Sequence, residues 1–181
     1  PSVALFGAIS EEGVLYIFDE MTAGDGERVA DFGVRVREAL KYRRVFRRLI
    51  DPSSEAADVR EGRTIRDELR GVGVPTQLAN NNLFFGLEIV RSRFRGKTLA
   101  IFANCRRLIW EVEHYIWKEH REERRGIVER EEPRKQDDHL CDCLRYICAS
   151  KVRYEEPTYE TFFPAASPYL DGPENGKFSG Y

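Results

Sequence analysis

Val3-Ala4-Leu5-Phe6-Gly7-Ala8-Ile9, then Ser10-Glu11-Glu12-Gly13, then Val14-Leu15-Tyr16-Ile17-Phe18 is the stretch from which the fold is read. Two apolar runs of strand type flank a four-residue polar connection ending in glycine, and that pattern predicts a β-hairpin. Downstream, apolar residues recur at spacings of three and four. Val29, Phe32, Val36 and Leu40 predict a helix that starts at Asp25 or Gly26. Val45–Ile50 reads as a third strand, halted by Asp51-Pro52-Ser53-Ser54, and Pro52 keeps Asp51 out of helical geometry at the strand's end. A helix is expected over residues 60–70, before Gly71 and Gly73, then a short strand at Thr76–Ala79. Asn80-Asn81-Asn82 is a capping cluster ahead of a helix marked by Leu83, Leu87, Val90 and Phe94. Thr98–Ala103 is another strand, and Leu108, Val112, Tyr115 and Ile116 mark a helix reaching about Glu119. The last helix is expected over Gln136–Ser150, with Leu140, Leu144, Ile147 and Cys148 inward.

A leading hairpin followed by alternating strands and helices predicts an α/β domain on one mixed sheet. With 181 residues the chain is long enough to bury a core without staples. It is read as one domain over 1–155 and an extended tail over 156–181, rich in Pro, Gly and aromatics. The 118–135 stretch mixes both charges densely and reads as a solvated connection. No apolar run approaches the ~18–20 residues needed to cross a bilayer, and no basic start with a long apolar stretch marks a signal peptide. Neither G-x-x-x-x-G-K-[ST] nor G-x-G-x-x-G is present, so nucleotide binding by either loop is not expected. The chain begins at Pro1 directly ahead of a strand, as a piece of a longer protein would.

Three of the four cysteines, Cys141, Cys143 and Cys148, fall close together. They lie on one predicted helix, with Cys141 and Cys143 about 200° apart. Structural zinc draws its ligands from separate turns, so these read as small packing residues. The formal net charge is −2, but its distribution is uneven. Arg43, Arg44, Arg47 and Arg48 form one basic cluster, and Arg91, Arg93, Arg95 and Lys97 another. Carboxylates concentrate at Asp51 and at Asp137-Asp138-His139-Leu140-Cys141-Asp142. On a helix, Asp138, His139 and Asp142 can share a face. Cleavage of a phosphodiester by two metal ions ~3.5–4 Å apart needs several such carboxylates converging from different elements. Each motif also has an ordinary reading. An Asp before Pro serves as a turn residue, and Asp137 and Asp138 at a helix start complement its dipole.

The ordered set of segments resembles the nuclease domain of tailed-bacteriophage large terminases. Pro1–Gly7 with Leu15–Glu20 is similar to that family's first hairpin, and Ile50-Asp51-Pro52-Ser53 to its second acidic motif. Asn81–Phe94 resembles its helix followed by a hairpin, and Ile101–Cys105, Leu108–Glu111 and Tyr115–Lys118 follow in order. Lys135–Tyr146 is similar to the last motif, K-x-D-D-H-x-x-D-A-x-R-Y, with Cys143 where alanine is usual.

The resemblance implies an RNase H-like mixed sheet flanked by helices and a metal-dependent endonuclease acting on concatemeric double-stranded viral DNA. It implies two Mg²⁺ or Mn²⁺ ions, with Asp51 and Asp142 as metal carboxylates and Asp138 and His139 flanking them. Arg43, Arg47, Arg91 and Arg93 are the expected phosphate contacts. The family's first catalytic Asp lies a few residues before the equivalent of Pro1, and Asp19 and Glu20 match a different strand. An ATPase motor domain preceding Pro1, a portal and a small terminase subunit are the implied partners, in the host cytoplasm and transiently at the procapsid portal. A non-catalytic DNA-clamping or motor-docking module is the alternative. Another RNase H-like enzyme, such as a resolvase or integrase, would not account for the 81–94 and 101–118 segments.

Overall fold

The computed structural model describes residues 2–56, 62–114 and 138–156. The expected hairpin is formed by β1 (Val3–Ile9) and β2 (Leu15–Thr22), paired antiparallel. Its turn is closed by Gly13 N–H donating to Ser10 O at 3.0 Å, with Gly13 at a left-handed φ of 82°. The register shifts between Phe6 and Gly7: Phe6 pairs with Asp19 and Gly7 with Ile17, so Phe18 is the extra residue of a bulge.

Helix α1 (Val29–Ala39) begins later than the apolar periodicity suggests. Gly26 is left-handed at φ 71°, and the Glu27 carboxylate accepts from Gly24 N–H at 2.7 Å, which makes 24–27 a turn. β3 is reduced to Leu49–Ile50, pairing in parallel with β4 (Gln77–Leu78). A 3₁₀ turn at Pro52–Glu55 follows β3. Then come α2 (Ile65–Gly71), α3 (Leu83–Arg95), β5 (Leu99–Ile101), α4 (Arg106–Glu113) and α5 (His139–Ala149). Thr64 and Asp67 form a capping box at α2, and Asn82 caps α3 by accepting from Phe85 N–H at 3.0 Å. The 81–94 segment is a single helix rather than a helix and hairpin. Residues 115–137 and 157–181, which hold the charged connection and nearly all of the expected tail, lie outside the described residues.

β5 pairs in parallel with β2, giving a mixed sheet in the order β1-β2-β5. The expected single sheet is therefore divided, because β3 and β4 pair only with each other. Helices flank the mixed sheet, as expected. Leu15, Ile17 and Leu99 from its strands meet Cys105 and Leu108 around α4 and Leu140, Leu144 and Cys148 of α5, and all eight are buried. Each large apolar side chain so buried contributes roughly 1.5–3 kcal/mol. α1 packs on α2 at Gly33, where a Cβ would come within 2.8 Å of a Leu69 methyl.

Three helices end or begin on devices with sequence consequences. α3 closes with Lys97 N–H donating to Phe94 O at 3.2 Å and Thr98 N–H to Arg93 O at 2.9 Å. In that motif the left-handed position belongs to Lys97, at φ 53°, one residue past Gly96. α4 and α5 lack side-chain caps of their own. Instead Glu20, in the C-terminal half of β2, accepts from Arg107 and Leu108 N–H, both at 2.8 Å. Glu111 of α4 accepts from Leu140 and Cys141 N–H at 2.7 and 3.0 Å. Lys97→Gly should relieve the left-handed strain and stabilise the fold by about 1 kcal/mol, seen as a higher denaturation midpoint. A lower midpoint would mean that the lysine side chain contributes more than its backbone costs.

Candidate functional site

Asp51 stands where β3 ends and caps the 3₁₀ turn, its Oδ1 accepting from Ser53 N–H at 2.7 Å. The expectation drawn from Pro52 therefore holds. The other carboxylate oxygen, Oδ2, accepts from the Tyr146 hydroxyl of α5. Partial burial pulls the Asp51 carboxyl upward. The Ser53 side chain and amide, the Tyr146 hydroxyl and the Arg145 charge outweigh that and hold it below the usual carboxylate range. Burial first, and then the bond to Asp51, push the Tyr146 hydroxyl well above its ordinary value, so it stays a donor.

Asp142 lies in the first turn of α5, with its N–H donating to Asp138 O at 2.9 Å. Its Oδ1 accepts from Arg145 Nη2 at 2.9 Å and Nε at 3.2 Å, one helical turn on. Arg145 Nη2 also donates to Asn81 Oδ1 at 3.1 Å, which lies 3.2 Å from the Tyr146 hydroxyl. Asp51 and Asp142 thus stand at the two ends of one polar chain, Asp51–Tyr146–Asn81–Arg145–Asp142. The chain unites the end of β3, the loop before α3, and α5.

Arg145 is 4% exposed, which requires compensation for its charge. Asp142 supplies a carboxylate and the Tyr146 ring lies 4.6 Å from the guanidinium carbon. Its aliphatic stem crosses α3 at Gly86, where a Cβ would stand 2.2 Å from Arg145 Cγ and 2.8 Å from Cδ. In the sequence Arg145 and Tyr146 stand out only as members of a motif, and Gly86 only as a glycine in a helix interior. The signal available was that glycine, costing ~1 kcal/mol in mid-helix without an evident local reason.

The remaining expected residues are placed differently. Asp138 is the N-cap of α5 but makes no side-chain capping bond, and Glu111 takes that role. His139 is the first residue of α5 and exposed. Among the described residues no hydrogen bond or ion pair joins Asp138 or His139 to Asp51. Arg43 lies over the bulged Phe18 ring at 4.6 Å, and Arg47 donates to Ser150 O at 3.1 Å. Arg91 pairs with Glu88 at 3.0 Å. Arg93 donates from Nη1 to Gly13 O and Thr98 O, both at 3.2 Å, pinning the hairpin turn to the α3–β5 connection. Burial, and behind it the neighbouring carboxylates, push the Cys141 and Cys143 thiols up to about 12, so in the metal-free protein both are neutral thiols at neutral pH.

Asp51 and Asp142 are hard oxygen donors and suit Mg²⁺ or Mn²⁺ in kind. Among the described residues no three His, Cys, Asp or Glu side chains group closely enough to hold an ion. The described donors therefore amount to a pair of carboxylates.

Solved structures with this architecture exist. A large terminase from a thermophilic bacteriophage matches with a TM-score of 0.68 and 20% sequence identity over 84% of this chain. The same terminase in complex with ATP-gamma-S matches at 0.65 and 19%, over 81% of the chain. This is the fold of one part of a bacteriophage large terminase. The chain spans about a third of the length of those terminases, 36% in both cases. No family model and no curated protein matches the sequence.

Two substitutions test the hub of this terminase-like fold. Gly86→Ala should cost about 2–3 kcal/mol through overpacking against Arg145, whereas Gly71→Ala, with open space at its Cβ, should be neutral or stabilising. Equal denaturation midpoints for the two variants would contradict the crossing. Tyr146→Phe keeps the ring over Arg145 and removes one charge-assisted bond, so a loss of about 1.5–3 kcal/mol is expected. A loss under about 0.5 kcal/mol would mean that Asp51 does not depend on that hydroxyl.

Proposed function

We propose that this chain is the nuclease part of a large terminase, a metal-dependent endonuclease that cuts concatemeric double-stranded viral DNA during genome packaging. The observation that carries the reading is the convergence of Asp51 and Asp142 on one Tyr146–Asn81–Arg145 chain, with Tyr146 and Asp51 95 residues apart in sequence. The terminase fold supports it, as does the absence of either phosphate-binding loop motif from the sequence.

In this reading Asp51 and Asp142 would hold the Mg²⁺ or Mn²⁺ ions, with Asp138 and His139 alongside. Such ions, when bound, supply Lewis acidity toward the phosphodiester and lower the pKa of water. The chain's own residues do the rest. Ser53 N–H and the Tyr146 hydroxyl fix both oxygens of Asp51, and Arg145 fixes Asp142. Arg43, Arg47 and Arg91 meet phosphates in a salt-dependent, sequence-blind way. Arg93 Nη1 is held by Gly13 and Thr98 carbonyls, as Arg47 Nη1 is by Ser150 and Arg91 Nη1 by Glu88, so phosphate contact by these three draws on their other N–H groups. Packaging as a whole would add an ATPase motor domain, a portal and a small terminase subunit, in the host cytoplasm and at the procapsid portal. Among the described residues no helix is long and apolar enough to cross a membrane.

A non-catalytic DNA-clamping or motor-docking module is the second reading. It is favoured by one observation, that Asp51 and Asp142 are already engaged by Tyr146 and Arg145 within the protein. Plasmid nicking with Mg²⁺ or Mn²⁺ separates the two. It should be run on this chain and on a longer one carrying the upstream Asp that the resemblance implies, each with Asp142→Asn. Metal-dependent nicking reduced about 100-fold or more by Asp142→Asn is expected. DNA binding without nicking by the longer, folded chain would establish the clamp instead.

A further inference from the structure

Between α1 and β3 runs Lys41-Tyr42-Arg43-Arg44-Val45-Phe46-Arg47-Arg48, a stretch with five cations and no carboxylate. Residues 44–48 lie in no helix or strand; Arg43 N–H closes a turn on Leu40 O at 2.9 Å, and Arg48 O accepts from Gln77 N–H at 2.7 Å. Two anchors hold the segment against the body of the protein: Arg43 over Phe18, and Arg47 on the Ser150 carbonyl. Beside each anchor stands an aromatic ring that is not buried. Tyr42 is 91% exposed and Phe46 46% exposed. The cations flank an open cleft of about 430 Å³ lined by Arg37, Glu38, Leu40, Lys41, Arg43 and Arg48. Glu38 is paired with Arg37 at 3.1 Å, so its charge is already offset. None of the five cations of the segment forms an ion pair among the described residues.

Each ring has a cation of the segment near one face, Lys41 Nζ 5.5 Å from the Tyr42 centroid and Arg47 Cζ 5.7 Å from that of Phe46, and a solvated charge run does not account for two rings presented beside it. Aromatic rings interleaved with cations are the combination that meets an anionic partner with flat faces. The partner must be anionic along its length and must offer flat apolar faces at intervals. Duplex DNA satisfies only the first requirement, since its base faces are stacked inside. An unpaired strand satisfies both, with phosphates for the cations and bases for the rings. Tyr42 and Phe46 are separated by four residues, at most about 14 Å of extended chain, a distance that a few nucleotides cover. An anionic membrane surface is the other chemistry that takes cations and aromatics together. Its usual reader is an amphipathic helix with a continuous apolar face, and this segment is not helical.

We propose that Lys41–Arg48 is a seat for an unpaired DNA strand, with its cations on the phosphates and Tyr42 and Phe46 stacked on bases. The seat leads through β3 directly to Asp51, so a strand separated from its complement would be held on the approach to the acidic hub. The proposal goes beyond the nuclease reading and does not require that Asp51 and Asp142 hold metal.

Fluorescence anisotropy on the full chain tests it, using an oligothymidylate of about 12 nucleotides, a duplex of mixed sequence, and vesicles of anionic lipid. Tyr42→Ala and Phe46→Ala should each weaken oligothymidylate binding by about 5- to 150-fold, and leave duplex affinity within about twofold. Tyr42→Phe should retain binding, because it keeps the stacking ring. Both alanine positions are exposed, and an unchanged circular dichroism spectrum checks the fold. The proposal is overturned if the alanine variants bind oligothymidylate as tightly as the parent. It is equally overturned if they lose single strand and duplex alike, or if only vesicle binding depends on the rings. If the longer, folded chain that carries the upstream Asp is inactive in nicking while ring-dependent oligothymidylate binding persists, the nuclease reading falls and this one stands.

Discussion

A carboxylate with no exposed side-chain surface, that of Glu111, holds the N-terminus of α5. Ionised groups are removed from water only where donors replace the lost hydration. Here Leu140 and Cys141 N–H supply two, and Arg107 Nε supplies a third at 3.2 Å. The partial positive charge at a helix start strengthens the arrangement. The same device operates one step earlier, where Glu20 of β2 receives the first free N–H groups of α4. The order of dependence is then physical. The bulged hairpin sets Glu20, Glu20 sets α4, Glu111 on α4 sets α5, and α5 carries Asp142, Arg145 and Tyr146. A change in any of these caps is felt at the acidic hub without touching it.

Gly86 closes the arrangement from the other side. α3 and α5 approach closely enough for the Arg145 stem to lie where a Cβ would otherwise be. Buried in that crossing, the guanidinium faces Asp142, Asn81 and the Tyr146 ring. One side chain therefore ties the helix pair to the polar chain, and packing and site geometry are the same fact seen from two directions.

Local features are legible in this sequence and long-range ones are not. The β1–β2 hairpin, the α3 cap at Asn82, the inward face of α5 at Leu140, Leu144 and Cys148, and Asp51 at a strand end all follow from nearest-neighbour pattern. Apolar spacing starts α1 too early because Gly26, left-handed, turns the chain where that spacing suggests a helix already begun. Propensity makes β3 too long because Val45 and Phe46 favour a strand but have no strand beside them. Two capping carboxylates escape any local reading because Glu20 and Glu111 act on residues 88 and 29 positions away respectively. No periodicity records such a bond. Asp138, by contrast, has the local look of a cap and does not serve as one.

Both carboxylates of the hub are already compensated within the protein, and this separates its folding from any ion it holds. Asp142 has the buried Arg145 charge, and Asp51 has hydrogen-bond donors from Ser53 and Tyr146 that keep it ionised. Two uncompensated carboxylates in a shared, partly buried setting would raise one another's pKa or demand a cation for the fold to stand. Neither demand arises here. The arrangement differs from a small zinc domain, in which metal binding supplies the folding energy itself. At Asp51 a cation would meet oxygens that already accept from Ser53 and Tyr146, whereas at Asp142 both Arg145 bonds fall on Oδ1. The positions of Tyr146 and Arg145 rest in turn on the Gly86 crossing and the Glu111 cap that hold α5 in place.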